Sequence, residues 1–313
     1  MSRRPSGSIW PLALALVLAA CSQPSVSTSS SRPEPTGPIG PNETIVTTEP
    51  GTGETLIAVG DIASCDNETD SATAALASGL SGTIATLGDH VYPSGTAEAY
   101  AECYGPAWGG LLERTRPAIG NHDIRADDGE AYFAYFGDRA GVAGEGWYSY
   151  ELGAWHVVVL NTNCNVFGCD AGSVQHTWLV ADLAASGAGC TVAYGHHPRF
   201  SSGPHGDYEP MAPLWGALYD TGADVLLAGH DHLYERFAPL LPDATPGPNG
   251  IRHFTAGTGG YSHYETEAVA PNSELIIDDA FGVLELTLRA DAYDWRFLTL
   301  DGVAADSGSA RCR

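Results

Sequence analysis

Residues 83–92 read TIATLGDHVY: a run of apolar and β-branched positions, a glycine, and then aspartate, histidine and tyrosine in quick succession. A run of that length and composition predicts a buried strand, and the polar side chains after it stand at the strand's mouth. Four other stretches repeat the arrangement. TLIAVG (55–60) precedes Asp61, RPAIG (116–120) precedes Asn121-His122-Asp123, TVAYG (191–195) precedes His196-His197-Pro198, and DVLLAG (224–229) precedes His230-Asp231-His232. Open α/β sheets carry their ligand sites at the carboxyl ends of strands, so the five polar islands are expected to meet.

The rest of the pattern fits that frame. Helices are expected near 70–80, 97–112, 174–186 and 211–219, alternating with the strands above and with WYSYEL (147–152) and WHVVVLNT (155–162). This is a βα rhythm. Toward the end IRHFTAG (251–257), FGVLELTLR (281–289) and YDWRFLTL (293–300) read as three further strands, the last two alternating apolar with polar and therefore antiparallel. The expected class is α/β: a sandwich of two mixed β-sheets flanked by helices, with a βαβαβ core, in one catalytic domain over residues 54–313.

Arg3 and Arg4 precede an apolar run that ends in Leu18-Ala19-Ala20-Cys21. It is short for a bilayer span and reads as an export signal over 1–20, with Cys21 at the position of a lipid-bearing cysteine; an ordinary cleaved signal is the alternative. Residues 21–53, rich in Ser, Thr, Pro and Gly, bury too little to order themselves and read as a tether. The chain is therefore expected to be exported, as a cell-surface or periplasmic lipoprotein whose contact with the membrane is the anchor at Cys21. With 14 basic against 38 acidic residues the formal charge is −24, which excludes a nucleic-acid partner. Cys65, Cys103, Cys164, Cys169, Cys190 and Cys312 form an even set in an exported chain, so disulfides are expected; Cys164 with Cys169 closes a short loop and is the one pairing singled out. A zinc cluster lacks its paired spacing.

Oxygen and imidazole ligands suit catalytic metal ions, and the islands supply both. His230 and His232, two apart, would project to one side of an extended backbone. Asp61, GDHVY (88–92), GNHD (120–123), GHHP (195–198) and GHDHLYER (229–236) together resemble the metallophosphoesterase superfamily and, within it, the purple acid phosphatases. Two positions carry the subgroup resemblance. Ala63 stands where the common pattern has a histidine ligand, and Tyr92 matches the tyrosine ligand of purple acid phosphatases.

The resemblance implies one metal held by Asp61, Asp89, Tyr92 and His232 and a second held by Asp89, Asn121, His196 and His230, with Asp89 shared. A phenolate calls for a strong Lewis acid, so the expected pair is Fe(III) with Fe(II), Zn(II) or Mn(II). His122 and His205, the latter nine residues beyond His196, correspond to substrate-side histidines. The implied activity is hydrolysis of small phosphate monoesters by a metal-activated hydroxide with a histidine general acid. Two alternatives stay open: a phosphodiesterase or nucleotidase using the same metals, and a non-catalytic surface protein binding phosphate or metal.

Neighbouring residues receive plainer readings. His197 and His90 are taken as outer-sphere or structural, Asp123 and Asp231 as orienting ligand imidazoles or capping turns, and Gly257-Thr258-Gly259-Gly260 as a tight turn, since the lysine of a phosphate loop is missing. His156, His176, His253 and His263 read as core or surface histidines. Oligomeric state is not encoded in any visible pattern.

Overall fold

The computed structural model of the chain describes residues 53–313. The expected export signal (1–20), the anchoring Cys21 and all but the last residue of the expected tether lie outside the described residues.

A six-stranded sheet runs in the order Ala304–Arg311, Ala292–Thr299, Gly282–Leu288, Glu54–Val59, Thr83–Leu87, Thr115–Ala118. A seven-stranded sheet runs in the order Ser273–Ile277, Tyr234–Phe237, Arg252–Ala256, Val225–Ala228, Cys190–Tyr194, Trp155–Val159, Tyr148–Leu152. The strands that feed the polar islands pair in parallel, whereas the C-terminal strands of the first sheet pair antiparallel. Both sheets are therefore mixed, and helices cover their outer faces.

Side chains of the central strands alternate between two apolar surroundings, which is why their sequences are apolar almost throughout. Leu56, Ala58, Leu87, Val157, Val192 and Leu227 lie between the sheets. Ile57, Val59 and Ile84 pack with Ala74 and Ala77 of helix Thr69–Gly79 and with Tyr100, Tyr104 and Trp108. Val158, Ala193 and Leu226 pack with helices Val174–Ala185 and Ala212–Asp220. Truncating one such buried leucine to alanine costs about 2–5 kcal/mol, so strand register is fixed on both faces at once.

The sequence hid some elements. Strand Ala304–Arg311 reads AADSGSAR, with no apolar rhythm; it is an edge strand whose inward residue is Asp306, bound by Tyr234, Trp295 and Arg236. An inward charge on an edge strand blocks further pairing. Strand Tyr234–Phe237 lies inside the GHDHLYER island, Ser273–Ile277 is a half-exposed edge strand, and Glu130–Phe136 forms a helix within a loop. The stretch from Ala97 to Arg114 is helical as expected but changes pitch, with a wide turn at Tyr100–Tyr104 and a tight one at Gly109–Arg114.

Three disulfides pair Cys65 with Cys103, Cys164 with Cys169 and Cys190 with Cys312. The Cys164–Cys169 link matches the pairing expected from spacing. Cys190–Cys312 joins residues 122 apart in sequence and, on chain entropy alone, disfavours the unfolded state by up to about 5 kcal/mol.

His156 is more than a passive core histidine. Its Nδ1 lies 2.8 Å from Glu151 Oε1 and its Nε2 lies 2.8 Å from Asp182 Oδ2, so it ties the hairpin 148–159 to helix Val174–Ala185. Both nitrogens face acceptors, so both must donate, which requires the imidazolium. Burial lowers its affinity for the second proton, but hydrogen bonds to Asp182 and Glu151 outweigh it and raise the pKa above 6.5. The resulting stability is complete below about pH 6.5 and is lost as pH rises through the raised folded value. Denaturant titrations of the wild type and His156→Gln are expected to differ most near pH 5.5 and to converge toward pH 9.5; a gap that is constant with pH would contradict the imidazolium.

Candidate metal centre

Each island leaves the carboxyl end of its strand and turns sharply. Asp61, Asp89 and His230 have left-handed backbones, with φ of 61°, 50° and 71°, each costing on the order of 1–3 kcal/mol for a residue with a Cβ. Hydrogen bonds hold these turns. Asp61 Oδ2 accepts from the backbone of His230 at 2.8 Å, joining the two sheets, and Asp123 accepts from the backbones of Asp89, His90 and Gly120 at 2.8–3.0 Å. Gly88, at φ 83°, lies so close to the next island that a Cβ would stand 2.7 Å from His196 Nδ1. His230 and His232 therefore converge through a left-handed bend and not, as the spacing suggested, by alternation along an extended strand.

All seven predicted ligand residues come together. The Tyr92 hydroxyl is 2.6 Å from Asp61 Oδ1, 2.9 Å from Asp89 Oδ2 and 3.1 Å from His232 Nε2. His196 Nε2 is 2.9 Å from Asn121 Oδ1, 3.2 Å from Asp89 Oδ2 and 3.2 Å from His230 Nδ1. Two knots of donor atoms thus share one oxygen, Asp89 Oδ2. Asp61, Asp89, His196 and His232 are almost completely buried.

Hydrogen counting shows that these atoms suit cations. His196 Nδ1 faces the Leu87 carbonyl at 2.8 Å and must donate to it, which leaves the neutral ring's Nε2 lone pair facing an amide oxygen and a carboxylate. Tyr92 has one proton for two carboxylate oxygens. Buried acceptors without hydrogens are costly unless a positive charge sits among them. In the metal-free chain a proton has to serve: burial alone would lower His196, but Asp89 and Asp61 outweigh it and push its pKa up to about 9. Burial also opposes ionisation of Asp61, yet His232, His196 and the Tyr92 hydroxyl hold it well below the usual carboxylate range. His230 falls to about 3 through burial and the neighbouring His196 and His205. Burial, Asp61 and Asp89 push the Tyr92 phenol far up, so its ionisation needs a strongly acidic cation. The chemistry of the donor set fits two metal ions sharing Asp89.

His122 and His205 flank this cluster. His122 donates from Nδ1 to the Pro93 carbonyl at 2.8 Å, which turns Nε2 toward Asp89 Oδ2 at 3.9 Å, and its ring lies 4.3 Å from that of Tyr92. His205 is half exposed, with Nδ1 2.8 Å from Asp231 Oδ1 and its ring 4.2 Å from that of His230.

Of the two roles expected for Asp123 and Asp231, orienting ligand imidazoles or capping turns, the second holds: neither orients a predicted ligand imidazole, and both accept from loop backbone N–H groups. Asp123 binds the loops and His90 (3.0 Å), and Asp231 holds His205. His197 sits at the edge of the cluster, its Nδ1 3.1 Å from Thr162 Oγ1 and its ring against Tyr208. Gly257 allows the close approach expected of that turn, because a Cβ there would stand 2.8 Å from Asp61 Oδ2.

Three contributors escaped sequence reasoning. Ser262 faces His232 Nδ1 at 2.7 Å and so aims Nε2 inward, Tyr261 stacks on Tyr92 at 3.6 Å, and Tyr264 stacks on His232 at 3.9 Å. A signal existed. Arg252–Ala256 pairs in parallel with Val225–Ala228, so the GTGGYSHY that follows it is a sixth island at the same end.

Residues 54–234 match the family model of the calcineurin-like phosphoesterases. Purple acid phosphatase 21 of Arabidopsis thaliana is 31% identical over 186 residues, which is 52% of this chain and 42% of that protein. The chain spans less than half the length of the curated relatives it matches. Among solved structures, purple acid phosphatase PPD1 from yellow lupin superposes with a TM-score of 0.68 at 19% identity, covering 82% of this chain and 53% of that one. A dimetal phosphatase from Danio rerio gives 0.58 at 13% identity, covering 84% and 100%. These likenesses show the fold.

Replacing Asp123 by alanine strands three buried N–H groups at about 1–3 kcal/mol each. Asp123→Ala is therefore expected to lose at least about 3 kcal/mol in denaturant unfolding, together with its bound metal. A variant with native stability and metal content would show that other groups hold these loops.

Proposed function

The chain belongs to the calcineurin-like phosphoesterase family, and we propose that within it this protein is a dinuclear-metal phosphomonoesterase of the purple acid phosphatase type. One observation carries the reading: Asp89 Oδ2 lies 2.9 Å from the Tyr92 hydroxyl and 3.2 Å from His196 Nε2, common to both donor knots. Asp61, Asp89, Tyr92 and His232 would hold one ion, and Asp89, Asn121, His196 and His230 the other. Bound there, the ions would supply Lewis acidity and an acidified water. The first position favours Fe(III), because Tyr92 must ionise against burial and two carboxylates; the second suits Fe(II), Zn(II) or Mn(II).

The protein's own groups divide the remaining work. His122 presents Nε2 to the centre because Nδ1 is committed to Pro93, and a proton on Nε2 is placed for the departing alkoxide. His205, fixed through Nδ1 by Asp231, offers Nε2 as a second contact to phosphate oxygen. The hydrogen bond to Asp231 raises the pKa of His205 above the usual imidazole value, so this contact carries its positive charge on the acid side of neutrality and favours activity there. We also propose that the protein works outside the cytoplasm, held by a lipid at Cys21; three disulfides among the described residues support an oxidising compartment.

Metal analysis of the purified protein is expected to show two ions per chain with a visible tyrosinate-to-iron absorption that disappears in Tyr92→Phe. A colourless protein holding two zinc or manganese ions would remove iron and the phenolate from the reading. His122→Ala is expected to lower kcat on p-nitrophenyl phosphate by about 10²–10⁴ with metal content retained. Unchanged turnover would take the proton-donor role away from His122, and a strong preference for bis-p-nitrophenyl phosphate would make the enzyme a diesterase.

A further inference from the structure

A cleft lies against the segment that leads into His205. Residues 201–204 form one wall and residues 267–271 the other, around about 560 Å3, room for a small organic group. Both walls continue from segments whose side chains pack on ligand histidines, His205 on His230 and Tyr264 on His232. Pro204 directly precedes His205, and Gly203 packs so tightly on Asp231 that a Cβ would strike the carboxylate. The opposite wall begins three residues after Tyr264, whose ring lies on His232. The Ala270 N–H donates to Ser202 Oγ at 2.7 Å and joins the two walls.

The chemistry of the lining is lopsided. The hydroxyls of Ser201 and Ser202 are spent on Asp231 and Glu235, and most of the remaining side chains are proline, alanine and valine. Glu267 supplies a carboxylate, and no lining residue is basic. Arg199 and Arg252, the arginines nearest in sequence to the walls, are paired with Glu209 and Glu274. An ester whose phosphate sits on the metals must direct its alkoxide toward the histidine donors, and Pro204 of the cleft wall is the residue next to His205.

Resting on the phosphomonoesterase reading, we propose that this cleft seats the leaving group, and that Glu267 selects leaving groups that are neutral or carry an ammonium over those bearing a second anion. The substrate class is a single-phosphate ester of a small neutral or amino alcohol. A carboxylate within several ångströms of a unit charge at a partly solvated site changes binding by about tenfold.

The test uses the metal-loaded full chain and three small esters that differ in the charge at their far end: O-phosphoethanolamine, glycerol 3-phosphate and 3-phosphoglycerate. In the wild type kcat/KM is expected to fall in that order, by about tenfold from first to last, and the spread to shrink in 1 M NaCl, where the screening length is about 3 Å. Glu267→Gln should flatten the series and Glu267→Lys should invert it. Equal kcat/KM for the three esters, or an order that neither variant alters, overturns the cleft assignment while leaving the phosphatase reading in place. Hydrolysis of none of them while p-nitrophenyl phosphate is turned over overturns this inference alone; if that ester too is left intact with metals bound, the phosphatase reading falls with it.

Discussion

A buried excess of hydrogen-bond acceptors over hydrogens organises this molecule. Asp61, Asp89, Tyr92, Asn121 and His196 turn oxygen and nitrogen lone pairs toward one another, and most of them are buried away from bulk water. Such a cluster is tolerable only if a positive charge enters it. Folding and cation binding are consequently coupled, since the loops that gather the acceptors are stable to the extent that something neutralises them.

The sandwich exists to bring that excess together. Each sheet contributes about half the donors, and the contacts at their shared carboxyl edge cross from one sheet to the other: the His230 backbone to Asp61, and His196 to the Leu87 carbonyl. Neither sheet alone could assemble the centre. Left-handed turns at Asp61, Asp89 and His230 are strained, and the packing of apolar faces on both sides of every central strand supplies the rigidity that keeps them.

Much of this was legible because it rests on short-range rules. An apolar strand, a glycine and a polar island is a local pattern; its repetition located the islands, and their resemblance to the purple acid phosphatases singled out the seven donors and both flanking histidines before any geometry was known. What could not be read depends on long-range placement. The role of Asp123 arises from loops brought together across the first sheet, and that of Ser262 from a turn beside His232; neither residue type announces such a task. The strand at Ala304–Arg311 was invisible because its neighbours, and not its own side chains, make it a strand. Tyr261 and Tyr264 lay within reach of sequence reasoning, and were missed because Arg252–Ala256 was not recognised as parallel to Val225–Ala228.

The link between Cys190 and Cys312 makes most of the second half of the chain a closed ring. A protease that cuts the exposed stretch 265–269 opens that ring without shedding a fragment, and the severed segments stay in place through the sheets they belong to. Damage of this kind leaves the apparent mass on a non-reducing gel intact and splits it only when a thiol is added. Two cuts, or one cut and a reductant, are needed before any part of the ring can diffuse away.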